Sequence, residues 1–493
     1  RPLLFNSFDY LIFLPLVVLA YWLCPRRLRI GLLIAASYYF YMHSFKIYGL
    51  LLLGLTAANY LLGLGLAQAK ESYRRLVLIA GIAFNLGMLA LFKYTNLLLD
   101  TLNKGLDTLG TGLHLQSIHS TGIADLPIIL PLGISFFVFE FIHYLTDVFK
   151  GSAPVKNPLR FALFASFFPS QIAGPIKRYQ DFDKQLDKPA AIKSDDIYAG
   201  LWLISRGLFK KVALGDNLAP VVQAGFANPA QLGTGEAWLA VLAFAFQIYY
   251  DFSGYTDMGR GSAMLFGFSL PENFNMPYLA RSLKDFWHRW HISLSTWLRD
   301  YLYIPLGGSR RGELGTLANL FTTMLLGGLW HGASWTFLLW GAFHGAGLGL
   351  NRIYEGFLNK PENAALKKAG ETWLGQALAY VVTMVTVLVG WVLFYAHNLP
   401  QALGVLKAMF LPQAASADCM VKHLTVQSTL LPAAALYGTA MLVYWDLKKA
   451  PALPSPAILP PRVVAHSCAL LALFIITIEL APRLASPFIY FQF

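Results

Sequence analysis

The sequence predicts an all-α polytopic membrane protein. Of its 493 residues, 56% are hydrophobic and only 13% are charged, whereas a soluble domain has roughly a quarter of its residues charged. Its mean hydropathy is +0.52, and apolar stretches recur along its whole length. The apolar positions do not alternate with polar ones as the strands of a membrane β-barrel require. Helices are therefore the expected spanning elements.

The apolar stretches predict about eleven transmembrane helices and one or two half-helices, in one domain of residues 1–493. A full span needs about 20 residues, so the shorter stretches are expected to be tilted, re-entrant or extended by flanking polar residues. In chain order they are residues 10–24, 31–42, 48–69, 76–92, 128–149, 238–252, 317–329, 335–350, 373–394, 430–445 and 463–480.

The net charge of +12 would suit a nucleic-acid-binding protein, but the basic residues gather in loops between apolar stretches. The clusters lie at residues 26–29, 70–75, 177–193 and 448–462. The positive-inside rule explains this distribution better and places these loops in the cytoplasm. Both termini are then expected in the periplasm, and the basic loop 281–311 on the cytoplasmic side.

The central block, residues 247–312, differs from the other apolar stretches. Asp251, Asp257 and Arg260 interrupt it, and Pro271 and Pro277 exclude one straight helix from PENFNMPY. Irregular backbone at membrane depth is tolerated where it lines a cavity or is buried in protein. We therefore expect a funnel that opens to the cytoplasm. The alternative is a set of interfacial helices with tryptophans at the membrane surface.

Two histidines make this region a candidate reaction site. His291 lies in RWHISLS and His331 in GLWHGAS, both in apolar surroundings. Imidazole transfers protons near neutral pH, and a polar side chain at membrane depth usually marks a reaction or a transport path. His288 and His291 could instead share a metal ion, but neither HExxH nor a cysteine pair accompanies them, and no metal site is predicted.

Several motifs resemble those of the membrane-bound O-acyltransferase superfamily, in particular its bacterial polysaccharide-acetylating branch. The motifs are LFNSFDYLIFLP, LPLGISFFVFEFIHYLTDVFKG, FPSQIAGPIKRYQDF, the central block, GLWHGASWTFLLWG and the terminal SPFIYFQF. The resemblance implies helices around a central funnel, with a catalytic core at about residues 128–353. It also implies that His331 is the catalytic histidine and His291 the second histidine. His288 stands where relatives often have Arg or Asn.

The implied reaction is attack of a hydroxyl on an acyl thioester. His331 would remove the hydroxyl proton as a general base, and His291 would polarise the carbonyl or orient the donor. Asp251 and Asp257 would orient a histidine, or stabilise the fold through Arg260. Trp290 and Trp330 are expected to line the funnel.

The resemblance further implies transfer of acetyl groups from a cytoplasmic donor, acetyl-CoA, without a permanently bound cofactor. The predicted donor-binding residues are basic and would attract the CoA phosphates: Arg281, Lys284, Arg289 and Arg299. Alternatively, these charges would only set the membrane topology and contact lipid headgroups. The expected partners are membrane lipid and periplasmic acetyltransferases, with no nucleic acid. The expected location is the bacterial inner membrane, and the expected acceptor is alginate or another glycan such as cellulose or peptidoglycan.

Two other functional classes stay open at this point. A transporter or flippase would use midplane His and Asp side chains as a proton relay, although no inverted repeat supports it. A scaffold of a secretion complex would need no catalysis at His331.

The aromatic tail, residues 486–493, also allows two interpretations. It could lie in the interface as an anchor, or Tyr490 could receive the acyl group and pass it to a partner.

Overall fold

The computed structural model describes residues 3–43, 46–110, 131, 133–172, 174–187, 194–416, 419, 421 and 471–482. Every regular element within these ranges is a helix, so the all-α prediction is confirmed for this part of the chain. The aromatic tail with Tyr490 and the predicted span at 430–445 lie outside the described residues, as does part of the span at 463–480.

The described N-terminal part of the chain contains five helices, of which the third and the fourth are long and apolar. Ser7 caps the first of them, because its Oγ accepts a hydrogen bond from the backbone N–H of Tyr10 at 3.2 Å. Asn59 and Asn85 exchange side-chain hydrogen bonds of 3.0 and 2.7 Å between the third and the fourth helix. The helices are α1 (Phe8–Leu23), α2 (Arg26–Met42), α3 (Lys46–Gln68), α4 (Glu71–Lys93) and α5 (Thr95–Thr108).

The middle third mixes short helices with one long buried helix. Its elements are α6 (Ile134–Phe149), α7 (Pro158–Ser166), α8 (Phe168–Gln171), α9 (Tyr179–Leu186), α10 (Ser194–Leu208), a π-helical segment (Phe209–Gly215), α11 (Asp216–Ala227) and α12 (Thr234–Leu265).

The C-terminal part begins with two short helices next to the irregular central loop. Its elements are α13 (Leu283–Arg289), α14 (Ile292–Leu298), a second π-helical segment (Arg299–Tyr303), α15 (Gly312–His331), α16 (Trp335–Leu358), α17 (Ala364–Glu371), α18 (Trp373–Tyr395) and α19 (Leu399–Phe410). Residues 471–479 are also helical.

The predicted apolar stretches coincide with helices wherever the structure describes them. Three of these helices, α3, α4 and α18, are long and apolar enough to cross a membrane. Leucines on α3 and α4, such as Leu50, Leu61 and Leu76, are exposed, and lipid would cover them in a membrane. The total of about eleven spans stays a prediction.

The sequence predicted no span between residues 150 and 237, yet α10, the first π-helical segment and α11 run on without a break. They pack against α12 at very short range. A Cβ atom on Gly207 would lie 2.5 Å from the carbonyl oxygen of Gly254, so this close approach requires glycine. Two of the charged residues that lowered the hydropathy of this passage, Lys210 and Lys211, are buried in ion pairs with α12.

Candidate functional site

His291 lies at the junction of α13 and α14 in a strained conformation. Its backbone angles, φ 42° and ψ 56°, are in the left-handed region that residues other than glycine seldom adopt. The side chain is fully buried, and within the described part of the chain neither ring nitrogen has a hydrogen-bond partner. The ring of Phe252 from α12 packs edge-on against it at 4.7 Å. Burial lowers the pKa of His291, so its imidazole is neutral.

The irregular segment after α12 holds this junction. Residues 268–276 contain no helix, as the two prolines predicted. The backbone N–H of Asn275 donates to the carbonyl oxygen of Arg289 at 2.9 Å, and the N–H of Ile292 donates to that of Asn273 at 2.9 Å. The segment therefore pairs with the chain on both sides of His291.

His331 is the last residue of α15, and a lysine fixes this helix end. Nζ of Lys93, at the end of α4, donates to the carbonyl oxygens of Trp330 at 2.6 Å and His331 at 2.8 Å. The hydroxyl of Tyr94 donates to the carbonyl oxygen of Leu329 at 2.6 Å. A cation is favourable at a helix C-terminus, where carbonyl groups lack partners within the helix. Sequence reasoning missed Lys93, whose only signal was a lysine at the end of an apolar stretch.

Aromatic rings connect the two histidines. The ring of Trp330 lies 6.2 Å from that of His291 and 4.9 Å from that of His331, measured between centroids. Trp340 and Phe394 enclose His331 from the other side, at 5.1 and 5.2 Å. The structure thus brings the two predicted histidines together around Trp330, in an enclosure of packed aromatic rings that we call the chamber.

Trp290 has a different environment from the one expected of a funnel-lining residue. It is buried against Trp391 and Phe274, with ring centroids at 4.8 and 5.0 Å. His344 is buried in the helix bundle. Nε1 of Trp287 donates to Nδ1 of His344 at 3.4 Å.

A cavity of about 350 Å³ lies beside this chamber. Trp287 connects the two, since it lines the cavity and its ring lies 5.7 Å from that of Trp340. The cavity wall carries the basic side chains Lys284, Arg299 and Arg352 together with His288 and one carboxylate, Glu355, which pairs with Lys284 at 3.1 Å. Its size suits a small organic ligand, and its charge suits an anionic one.

Of the four basic residues predicted to attract the CoA phosphates, only two line the cavity. Lys284 and Arg299 line the cavity, whereas Arg281 donates to Gln376 at 2.6 Å and Arg289 to Asp285 at 2.7 Å. Arg352, on α16, was missed because it is far from the central block in sequence.

A further carboxylate, Asp300, lies in the second π-helical segment next to the cavity-lining Arg299. Burial alone would raise the pKa of Asp300, but hydrogen bonds from Arg299 and Arg178 outweigh it and hold this pKa below its usual value. Asp300 therefore keeps its negative charge and holds Arg299 at the rim of the cavity.

Asp257 and Asp251 belong to buried ion pairs between α12 and its neighbours. Asp257 accepts from Arg206 and from Lys210, each at 2.7 Å. Asp251 pairs with Lys211 at 2.7 Å.

The expected partner of these aspartates, Arg260, pairs instead with Glu272 at 3.1 Å. Lys211 also binds Asp216 at 2.8 Å, so the network ties the first π-helical segment and the start of α11 to α12. The ion pairs compensate for burying charge and hold the long helix that carries Phe252.

The polar face of α6 binds neighbouring segments. Both carboxylate oxygens of Glu140 accept from Nζ of Lys177 at 2.8 Å. Nε2 of His143 accepts from the backbone N–H of Tyr179 at 3.3 Å. Asp147 accepts from Gln180 at 2.7 Å. The described contacts are therefore those of a helix-packing face.

The sequence of this region also matches known proteins. A sequence profile described as MBOAT, membrane-bound O-acyltransferase family, matches residues 130–401, which include both histidines and the cavity. Lys93 lies outside the matched range.

Curated relatives extend the similarity over almost the whole chain. A Pseudomonas putida protein named "Probable alginate O-acetylase AlgI" is 38% identical and covers 99% of each chain. A peptidoglycan O-acetyltransferase of Helicobacter pylori is 38% identical over 83% of this chain and 80% of that protein. A teichoic acid D-alanyltransferase of Bacillus subtilis is 29% identical over 43% of this chain and 56% of that protein.

Proposed function

The chain belongs to the membrane-bound O-acyltransferase family, and from this premise we propose that it O-acetylates alginate with acetyl groups from a cytoplasmic donor. As a member it is an O-acyltransferase and a multi-pass membrane protein of bacteria. The observation that carries the proposal is the pair His291 and His331 around Trp330, in a chain with full-length similarity to alginate O-acetylases.

His331 is the proposed general base. Its imidazole takes the proton of the attacking hydroxyl while the oxygen bonds to the thioester carbonyl carbon. The tetrahedral intermediate then collapses, the carbon–sulfur bond breaks, and the imidazolium returns its proton to the departing thiolate. The hydrogen bonds from Lys93 support this role, because they fix the backbone of the base.

His291 is proposed to orient and polarise the acyl carbonyl. A neutral imidazole carries one N–H, which can donate a hydrogen bond to the oxygen as negative charge develops there. Two features support the role: its ring nitrogens have no partner among the described residues, and its strained backbone is of the kind that concentrates at functional sites.

The cavity beside the chamber is the proposed site for acetyl-CoA, which acts as substrate and not as a resident cofactor. Lys284, Arg299 and Arg352 would bind its phosphates, and Trp287 would lie between the cavity and His331. Arg281 and Arg289 lie outside the cavity wall and would contribute only to the general positive field.

We place the enzyme in the bacterial inner membrane with both termini in the periplasm, from the distribution of its basic residues. Periplasmic acetyltransferases are its proposed partners, and Tyr490 in the terminal tail is the proposed acyl carrier between the chamber and those partners.

Complementation tests the proposed function directly. An alginate-producing bacterium that lacks its own O-acetylase would receive this chain, and acetyl esters on secreted alginate would be measured by proton NMR. We expect the wild-type chain to restore acetyl esters and the His331→Ala variant to fail. The exposed His397→Ala variant is the matched control. Unacetylated alginate in cells that contain the folded wild-type protein would contradict the proposal.

Peptidoglycan is the second candidate acceptor, because the Helicobacter pylori relative is named for it and is as similar in identity. Muropeptide analysis of the same cells separates the two candidates. Acetylated muropeptides together with unacetylated alginate would favour peptidoglycan.

A further inference from the structure

The backbone at His291 needs an external restraint. A residue with a Cβ atom is unfavourable in the left-handed region, and His291 adopts it at full burial. Relaxation to a right-handed conformation would swing the imidazole away from Trp330. Some contact next to His291 must therefore oppose this relaxation.

Asn273 makes the contacts that meet this requirement. Its side-chain Oδ1 accepts from the backbone N–H of Ser293 at 3.2 Å and from Oγ of Ser293 at 2.6 Å. Its own carbonyl oxygen accepts from the N–H of Ile292 at 2.9 Å. Asn273 is only 1% exposed, so water does not compete for these bonds.

The same side chain is anchored to the rest of the fold. Nδ2 of Asn273 donates to Oγ1 of Thr256 on α12 at 3.4 Å. Ser293 is held from another direction, because its Oγ accepts from the backbone N–H of Ile176 at 3.1 Å. The first turn of α14 is thus fixed relative to α12, which also supplies the ring of Phe252 against His291.

We propose that Asn273 is a positioning residue for His291, holding the start of α14 so that the strained backbone aims the imidazole at the reaction chamber. This inference rests on the proposed function for the role of His291 in transfer. Asn273 is buried and does not line the cavity proposed for the donor, so its loss should affect the rate of acyl transfer and not donor binding.

Two substitutions isolate the hydrogen-bond acceptor. Asn273→Asp keeps a side-chain oxygen facing Ser293, and Asn273→Leu removes it at similar size. Asn275→Ala is the matched control, since Asn275 lies on the same segment, is exposed, and pairs through its backbone. The assay is acetyl transfer in membrane vesicles, with KM measured for acetyl-CoA.

We expect Asn273→Leu to lower kcat by roughly 10²-fold at nearly constant KM, the scale for a misplaced catalytic group. Asn273→Asp should recover most of that loss, and Asn275→Ala should match wild type. In a His291→Ala background the further change to Asn273→Leu should cost nothing more, because residues that act as a unit are not additive. Additive losses, or a wild-type kcat for Asn273→Leu, would overturn the proposal.

Ser293→Ala tests the same hydrogen bond if the Asn273→Leu variant does not fold. Ser293→Ala removes only the hydroxyl that Asn273 accepts at 2.6 Å, and we expect it to lower kcat less than Asn273→Leu does. A kcat equal to that of wild type would count against the proposal.

The backbone itself provides a readout that does not depend on activity. A cryo-EM structure of Asn273→Leu, or of Ser293→Ala if the leucine variant does not fold, should show His291 displaced from its left-handed conformation. An unchanged His291 would refute the positioning role even if the proposed function holds. Lack of transfer by the wild-type vesicles would refute the proposed function alone, and the structure would still decide the role of Asn273.

Discussion

Lys93 donates a hydrogen bond of 2.8 Å from its side-chain nitrogen to the backbone carbonyl oxygen of His331. The two residues are far apart in sequence, at the ends of α4 and α15. The bond joins the N-terminal helices to the region that the family profile matches, at the residue proposed as the general base. Through Lys93, the N-terminal helices are therefore connected to the proposed reaction site.

Substitution of Lys93 tests this connection. We expect Lys93→Met to destabilise the protein by about 1–3 kcal/mol, because it leaves carbonyl oxygens at the end of α15 without a partner. Transfer should fall by roughly 10² if the backbone of His331 shifts. Lys93→Arg should retain much of the stability and much of the transfer rate. The measurements are thermal unfolding in detergent and acetyl transfer per folded protein. Lys46→Met, at the exposed start of α3, is the control, and equal behaviour of the two methionine variants would contradict the prediction.

His331→Ala and His331→Gln should insert and fold normally but lose roughly 10²- to 10⁴-fold of the transfer rate, the scale for a general base. Transfer from acetyl-CoA to the extracytoplasmic acceptor is the measurement, with melting temperature as the check on folding. Near-normal transfer by a folded His331→Ala protein would show that His331 is not the general base.

Asp257→Leu should destabilise the protein strongly, by about 3–5 kcal/mol, because it leaves the buried Lys210 and the half-buried Arg206 without their shared carboxylate. Glu272→Gln, which breaks the exposed pair with Arg260, should cost about 0–1 kcal/mol. Thermal unfolding followed by tryptophan fluorescence compares the two. A folded Asp257→Leu protein of normal stability that has lost transfer would show that Asp257 acts in the reaction instead.

Arg352→Ala should raise the KM for acetyl-CoA by roughly tenfold, the effect of one lost hydrogen bond to a charged group. Dephospho-CoA thioesters would reveal whether Arg352 binds the 3′-phosphate, because the substitution would then leave their KM unchanged. Arg310→Ala serves as the control, since Arg310 is exposed and absent from the cavity wall. Equal KM values for wild type and Arg352→Ala would exclude the cavity as the donor site or Arg352 as its ligand.

Tyr490→Phe should stop acetylation of the final acceptor while leaving the fold intact. A phenol ester is more activated than a sugar ester because phenol, with a pKa of about 10, leaves more readily than an ordinary alcohol. Donor hydrolysis in the membrane should continue. If Tyr490→Phe acetylates the final acceptor at the wild-type rate, Tyr490 is not an acyl carrier. The tail would then act as an anchor or a docking peptide.

Several features of this protein followed from local sequence. Apolar length predicted helices such as α3, α4 and α18, because each must satisfy its backbone hydrogen bonds within one segment. Pro271 and Pro277 predicted the break after α12, since proline excludes a regular helix. Unusual polar residues in apolar surroundings marked His291 and His331, and the resemblance of their motifs predicted the family.

Tertiary structure decided which side chains meet. Hydropathy is a property of one segment, so it could not reveal that Lys210 and Lys211, between α10 and α11, are compensated by Asp257 and Asp251 on α12. For the same reason it missed Lys93 at the end of α15 and Arg352 in the cavity wall. The left-handed backbone of His291 is likewise a tertiary property, because an unfavourable local conformation persists only where contacts such as those of Asn273 hold it.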